Sequence, residues 1–325
     1  MRNLILLRYK YYALTAILLS IGLVACNSDN DIPYEPDPEL SGMRPVTVNS
    51  SADADCVYDW TPAPGQFINE TLPGTDWSSA TTLHDACVWA KARLDERLFV
   101  SLGGFGGYIV VGFDHSIVNT GSGYEIGVLG NAFNSGMGHS NEPGIVYVMK
   151  DTNGNGQPDD TWYELRGSDT FADGTIQNYS VTYYRPVGDC MPVKWVDIFG
   201  QNGEIPYVEM FHKQSSYYPV WVTPDSYTLS GTCLSPRNGQ DPSTGNWSND
   251  PFDWGYADNR GSDNISYQDN PNCNRFRISD AIDKNGNSVN LPYIDFVKIQ
   301  TGVNSASGWL GEVSTEVLGV VDLSL

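Results

Sequence analysis

From Phe99 to the carboxyl end the sequence breaks into short runs rich in Val, Ile, Tyr and Phe, separated by Gly, Asn, Asp or Pro. That punctuation limits the fold more than any other feature. The runs are Phe99–Leu102, Tyr108–Phe113, Tyr124–Leu129, Ile145–Met149, Thr161–Leu165, Ser180–Tyr184, Val193–Phe199, Tyr227–Leu229, Phe296–Ile299 and Glu316–Leu323. Many strands with at most one helix suit two packed antiparallel sheets. A βαβ series does not fit, because parallel neighbours need crossovers of roughly a dozen residues or more, usually helical. The one amphipathic helix follows Thr82, where Leu83, Cys87, Ala90 and Leu94 recur at helical spacing. Val57–Phe67, interrupted by two prolines, reads as an edge or lead-in segment. The expectation is an all-β antiparallel sandwich with one short N-terminal helix and long loop insertions.

Gly103, Gly104, Gly106 and Gly107 bracket Phe105 in a pattern that could cradle a phosphate. A strand follows rather than a helix, so the pattern predicts a tight turn against a sheet. Two longer stretches are poor in strand signal. Asn202–Pro224 is aromatic, and Ser235–Asn274 is dominated by Asn, Asp, Gly, Ser and Pro. Irregular segments on a rigid sandwich are usual places for binding loops, with passive insertion as the alternative. Tyr217, Tyr218 and Trp221 are expected to be exposed, because Pro219 interrupts any regular core strand. With Trp254 and Trp309 they are the candidate ligand-binding residues, able to stack on sugar faces or on a flat macrocycle. The competing reading of each is a core side chain.

Asp151 to Asp160 carries the sharpest chemical signal. Oxygen-bearing side chains at Asp151, Asn153, Asn155 and Asp159, with Gly156 sixth and the Gln157 carbonyl seventh, follow the first nine places of a calcium loop. Trp162 stands where the helix–loop–helix form has its bidentate Glu, and Asp160 and Glu164 are the substitute carboxylates. With strands on both sides, the prediction is a structural calcium clip on a hairpin, against an Asn/Asp turn that bonds its own backbone. Asp280–Asn287 looks similar, but Lys284 puts a cation inside it, and it reads as a connecting turn.

The amino-terminal segment sets the address. Arg2, Arg8 and Lys10 precede an apolar stretch ending in Leu23-Val24-Ala25-Cys26, which resembles a bacterial lipoprotein signal cleaved before a lipidated Cys26. Residues 1–25 are then signal peptide, 26–45 an anchor and proline-rich flexible tether, and 46–325 a single elaborated sandwich. The polar, acidic Asn27–Asp31 favours the outer membrane with the domain facing outward. The formal net charge of −21 becomes more negative once the three basic residues of the signal are removed. Nucleic acid is excluded as a partner, since a duplex binder needs a cationic footprint. Export permits disulfides, and Cys56–Cys87 and Cys190–Cys233 are the expected pairs because each would staple a segment with little core, although spacing alone does not choose the pairing.

For catalysis the available carboxylates are Glu125, Glu142, Glu164, Glu209, Asp295 and Glu312, but the sequence cannot set any two across a cleft as glycoside hydrolysis requires. No nucleophile elbow or zinc-protease spacing is present. Binding is the better-supported class.

Several blocks together resemble a known family: Ser101–His115, Gly130-Asn131-Ala132-Phe133, Glu142-Pro143-Gly144-Ile145-Val146, Trp162-Tyr163-Glu164-Leu165, Asp295–Lys298 and Gly311–Glu316. The family is that of Bacteroides-type cell-surface lipoproteins, and the likeness spans roughly Thr61 to Leu325. It implies a jelly-roll sandwich similar to carbohydrate-binding modules. Its members stand beside outer-membrane receptors in vitamin B12 acquisition loci, which implies nutrient capture, of a corrinoid or a glycan, with a TonB-dependent receptor complex. A surface adhesion or structural protein and a carbohydrate-active enzyme are the alternatives.

Overall fold

In the computed structural model every run predicted to be extended contains a strand, and the pairings are antiparallel throughout. The structure describes residues 40–69, 82–135, 138–209, 212 and 214–325. The signal peptide and Cys26 lie outside these residues, as does most of the tether. The body is all-β with one short helix among the described residues, and no helix there is long and apolar enough to cross a membrane.

A six-stranded sheet runs Cys56–Thr61, Tyr108–Val118, Tyr293–Thr301, Gly144–Met149, Tyr163–Leu165, Ala281–Ile282. One of its faces packs on a four-stranded sheet ordered Asn264–Tyr267, Asn270–Phe276, Ile126–Leu129, Gly319–Asp322. Alternation explains the seam: Ile109, Val111, Val146, Val148, Val297 and Ile299 point inward from the first sheet to meet Ile126, Val128, Phe276 and Val320 of the second. Fully burying each such side chain contributes about 1.5–3 kcal/mol. A second four-stranded sheet, Asn202–Ile205, Val193–Asp197, Ile176–Tyr184, Ser226–Cys233, carries its own core around Tyr179, Val181, Tyr183 and Leu229.

The helix, Leu83–Asp95, begins where expected, with the Thr82 side chain accepting from the Asp85 N–H. Its inward face is Ala86, Cys87, Ala90 and Leu94, whereas Leu83 is exposed. The glycine turn is a close approach, since a Cβ on Gly107 would lie 1.8 Å from the Leu102 carbonyl oxygen. The end of the expected tether is docked rather than free: Tyr293 donates to the Ser41 carbonyl at 2.7 Å and Arg44 pairs with Asp295 at 3.1 Å.

Both expected disulfides are absent, and all five described cysteines are free thiols. Cys87 and Cys233 belong to separate hydrophobic cores, where packing does the work assigned to a covalent staple, while Cys56 and Cys190 are exposed. The Ser235–Asn274 stretch is not irregular throughout, because Asn238–Gln240 pairs with Trp247–Asn249 and Asn264–Tyr267 with Asn270–Phe276.

Candidate functional site

Three of the sequence blocks converge on one pocket of about 440 Å³. Glu142 precedes the Gly144–Met149 strand, and its N–H donates to the Asp258 carbonyl at 3.0 Å. Glu316 opens a short strand, Glu316–Val317, paired with Val100–Ser101. Glu312 lies between them in the chain, its carboxylate taking the Gln66 N–H at 2.7 Å and the Gln66 amide at 3.2 Å. Gly311 makes that contact possible. It sits at φ 93°, and a Cβ there would be 1.7 Å from the Gln66 Nε2 atom.

Beneath the floor is Asp258, fully buried at φ 51°, in the left-handed region that a non-glycine residue adopts at a cost. Its side chain offsets that cost by fixing three backbone groups: Oδ1 accepts from Asn131 and Ala132 at 2.8 and 2.7 Å, and Oδ2 from Glu316 at 3.0 Å. Carboxyl oxygens of Glu142, Asp258 and Glu316 all lie within 4.8 Å of one another, the one group of acidic, His or Cys side chains among the described residues close enough to hold a metal ion.

Burial and mutual repulsion decide the charge state here. Loss of hydration pushes Glu142 up to about 8, and the Asp258 charge beside it acts the same way. Glu316 is driven well above the usual carboxylate range by burial and then by Glu142 and Asp258. Burial raises Asp258 to about 7 against its three N–H donors, and Glu312 to about 7 against Gln66. Two arrangements relieve such a cluster: a proton shared between Glu142 and Glu316, or a hard cation bound by carboxylate oxygens.

Aromatic rings form the rim. Phe67 packs edge-on against Phe99 at 5.4 Å and against His212 at 4.5 Å, and Phe133 and Trp309 are more than half exposed above the acids. The pocket therefore offers carboxyl groups to hydroxyls or cations below and ring faces above.

Of the candidate aromatic residues, only Trp309 is here. Tyr217 and Tyr218 are completely buried and Trp221 is 5% exposed, against the expectation of a surface cluster. The segment is buried on both sides of Pro219 with only Val220 exposed, and hydrogen bonds make burial tolerable: Trp221 donates to the Trp60 carbonyl at 3.1 Å and Tyr218 to the Pro224 carbonyl at 2.7 Å. Trp221 also packs on Trp60, with ring centroids 4.8 Å apart. Trp254 lines a separate small cleft among Arg166, Arg275 and Arg277.

The acidic loop lies between two strands as expected, but its oxygens are taken by its own donors. Asp151 accepts from the Gly154 and Gly156 N–H groups at 2.7 and 2.8 Å, Asn153 and Asn155 accept from the N–H two residues on, and Asp159 accepts from both their amides. Asp160 binds the Thr152 N–H and hydroxyl, and the Gln157 carbonyl accepts from the Asp159 N–H. Glu164 is not part of the loop: its side chain is buried on the sheet and accepts from the Thr232 hydroxyl. The acids that approach one another closely enough for an ion are those of the pocket. Asp258 and Glu316 were not singled out from sequence, although Glu316 closes one of the blocks and Asp258 falls in the Asn-rich stretch.

No family model matches the chain, and no curated protein is found to be similar to it.

Proposed function

We propose that this chain is a lipid-anchored surface protein of the outer membrane that captures a nutrient glycan in the acidic, aromatic-rimmed pocket. The carrying observation is that exposed Trp309 and Phe133 line one cavity of about 440 Å³ together with Glu142, Glu312 and Glu316. Sugars present hydroxyl edges and apolar faces together, which is what such a lining recognises. The same size argues against a corrinoid, whose macrocycle would have to remain outside. The antiparallel layers are compatible with the jelly-roll arrangement that the sequence blocks imply, and those blocks support membership of the Bacteroides-type lipoprotein family and delivery to an outer-membrane receptor. A calcium ion, if one is resident, is better served by Glu142, Asp258 and Glu316 than by the hairpin loop; its chemistry would be structural, holding these three side chains ionised and fixed.

The test is a glycan array followed by calorimetry on the hits. Trp309→Ala should weaken binding at least tenfold with an unchanged melting temperature, because the ring is exposed. Retention of cobalamin with no glycan hit would replace this reading with corrinoid capture. Silence in both would favour adhesion, and release of reducing ends from a bound glycan would favour an enzyme.

A further inference from the structure

The six-stranded sheet has a second face, and it is polar. Asp59, Val110, Lys298, Tyr147 and Glu164 stand directly opposite one another in register across five strands, so their side chains share that face. Tyr108, two residues from Val110, joins the row and donates to Asp59 at 2.8 Å. The row reads acid, phenol, ammonium, phenol, acid. Two adjoining clefts of about 680 and 530 Å³ open on it and share Lys298, Thr228 and Ser230, forming a groove with the ammonium at its middle.

Two polar atoms in this groove have no hydrogen-bond partner among the described residues. Lys298 Nζ is held only by rings, 4.3 Å from the centroid of Tyr147, 5.2 Å from Trp162 and 5.8 Å from Tyr108, with no hydrogen bond or ion pair to a described residue. Glu164 is about nine-tenths buried, and its Oε1 has no hydrogen-bond partner. The Asp59 and Glu164 carboxylates act on the ammonium only through space, so its three N–H donors are unspent, and a buried carboxyl oxygen without a donor adds to the cost of burial. Thr228, Ser230 and Asn178 bring hydroxyls and an amide to the walls, and exposed Phe171 offers a ring face at one end.

We propose that this groove binds an acidic polysaccharide, with the carboxylate of a uronate unit on Lys298 and a sugar hydroxyl donating to Glu164 Oε1. A single lysine balances the one charge of a carboxylate but not the charge of about −1.5 to −2 on a phosphate monoester. The two clefts, about 680 and 530 Å³, together have room for more than one sugar ring. This site shares no residue with the Glu142 pocket, so it stands or falls independently of the reading given there.

The experiment is affinity electrophoresis and calorimetry with polygalacturonate and alginate, each beside its carboxyl-reduced neutral form, in chelator so that calcium bridging does not contribute. The polyuronates should bind and the reduced forms should bind at least tenfold more weakly. Lys298→Met should abolish that preference, Phe171→Ala should weaken binding severalfold with an unchanged melting temperature, and Trp309→Ala should leave it unaltered. Equal binding of charged and reduced polymers, no binding of either polyuronate, or an unchanged preference in Lys298→Met overturns the proposal. Should Lys298→Met fail to fold, the comparison of polymers on the wild-type chain together with Phe171→Ala decides.

Discussion

Raising the pH from 5 to 8 should destabilise this protein, and the acidic pocket sets the size of the effect. In the unfolded chain its carboxyls titrate near 4. In the folded chain burial holds Asp258 and Glu312 near 7 and Glu142 near 8, and drives Glu316 well above the usual carboxylate range. Between those limits the folded state keeps protons that the unfolded state has released, so each group lowers stability by about 1.4 kcal/mol per pH unit as pH rises. The stability these groups contribute is complete below about pH 4 and is lost as pH climbs through the folded values. For Asp258, fully buried and raised by about three units, the loss amounts to about 4 kcal/mol by pH 7. Asp114, Asp160, Asp241 and Asp283 are held below their usual values chiefly by side-chain hydrogen bonds from His115, Thr152, Ser243 and Asn287, and their contribution disappears only as pH falls below about 4, outside this window. The assay is urea unfolding at pH 5, 6, 7 and 8 in chelator, with wild type beside Glu316→Gln. The wild-type midpoint should fall across the series and the variant should fall less steeply, since one repelling carboxyl is gone. Added calcium at pH 8 should recover part of the loss by binding the ionised folded form. A midpoint that stays level or rises from pH 5 to 8 refutes the reasoning.

Three further outcomes are expected. Trp221→Ala should cost about 3–5 kcal/mol through a cavity and a lost contact with the Trp60 ring, lowering the melting temperature by several degrees without altering affinity per folded molecule for a ligand of the Glu142 pocket, which Trp221 does not line; a stable variant that loses that ligand would return Trp221 to the binding surface. Ellman titration of the native chain should modify Cys56 and Cys190 quickly, and Cys87, Cys233 and Cys273 only in denaturant, since burial hides those three and pushes their thiols up to about 12, 11 and 12. Asp151→Ala removes two loop hydrogen bonds and should cost about 1–2 kcal/mol equally with calcium and with chelator; a cost seen only with calcium would put the ion in the hairpin.

The strands were legible where alternation of β-branched and polar residues reports a half-buried sheet, as in Val146, Val148, Val297 and Ile299. The Asn270–Phe276 strand was invisible to that signal. Its inward Asn272 and Asn274 are buried because they tie loops together, with Asn274 donating to the Asn259 carbonyl at 2.7 Å, so polar composition there does not mean exposure. Pro219 lies in a segment with no strand among its described residues, between Asn202–Ile205 and Ser226–Cys233, and a proline that excludes a regular strand says nothing about whether its neighbours are buried. Glu142 and Glu312 were recognisable as carboxylates, but their meeting with Asp258 and Glu316 depends on long-range pairing that composition does not encode. The polar row around Lys298 likewise emerges only when five separate strands are set in register.

Arg44 grips Asp295 with its guanidinium and the Phe113 carbonyl at 2.7 Å, joining two inner strands of the six-stranded sheet just after the described chain begins. Tension arriving from the amino-terminal side would thus load two inner strands of the sheet rather than peel an edge strand. Together with the Tyr293–Ser41 hydrogen bond, this clasp would have to break before such a pull reached the strand pairing behind it.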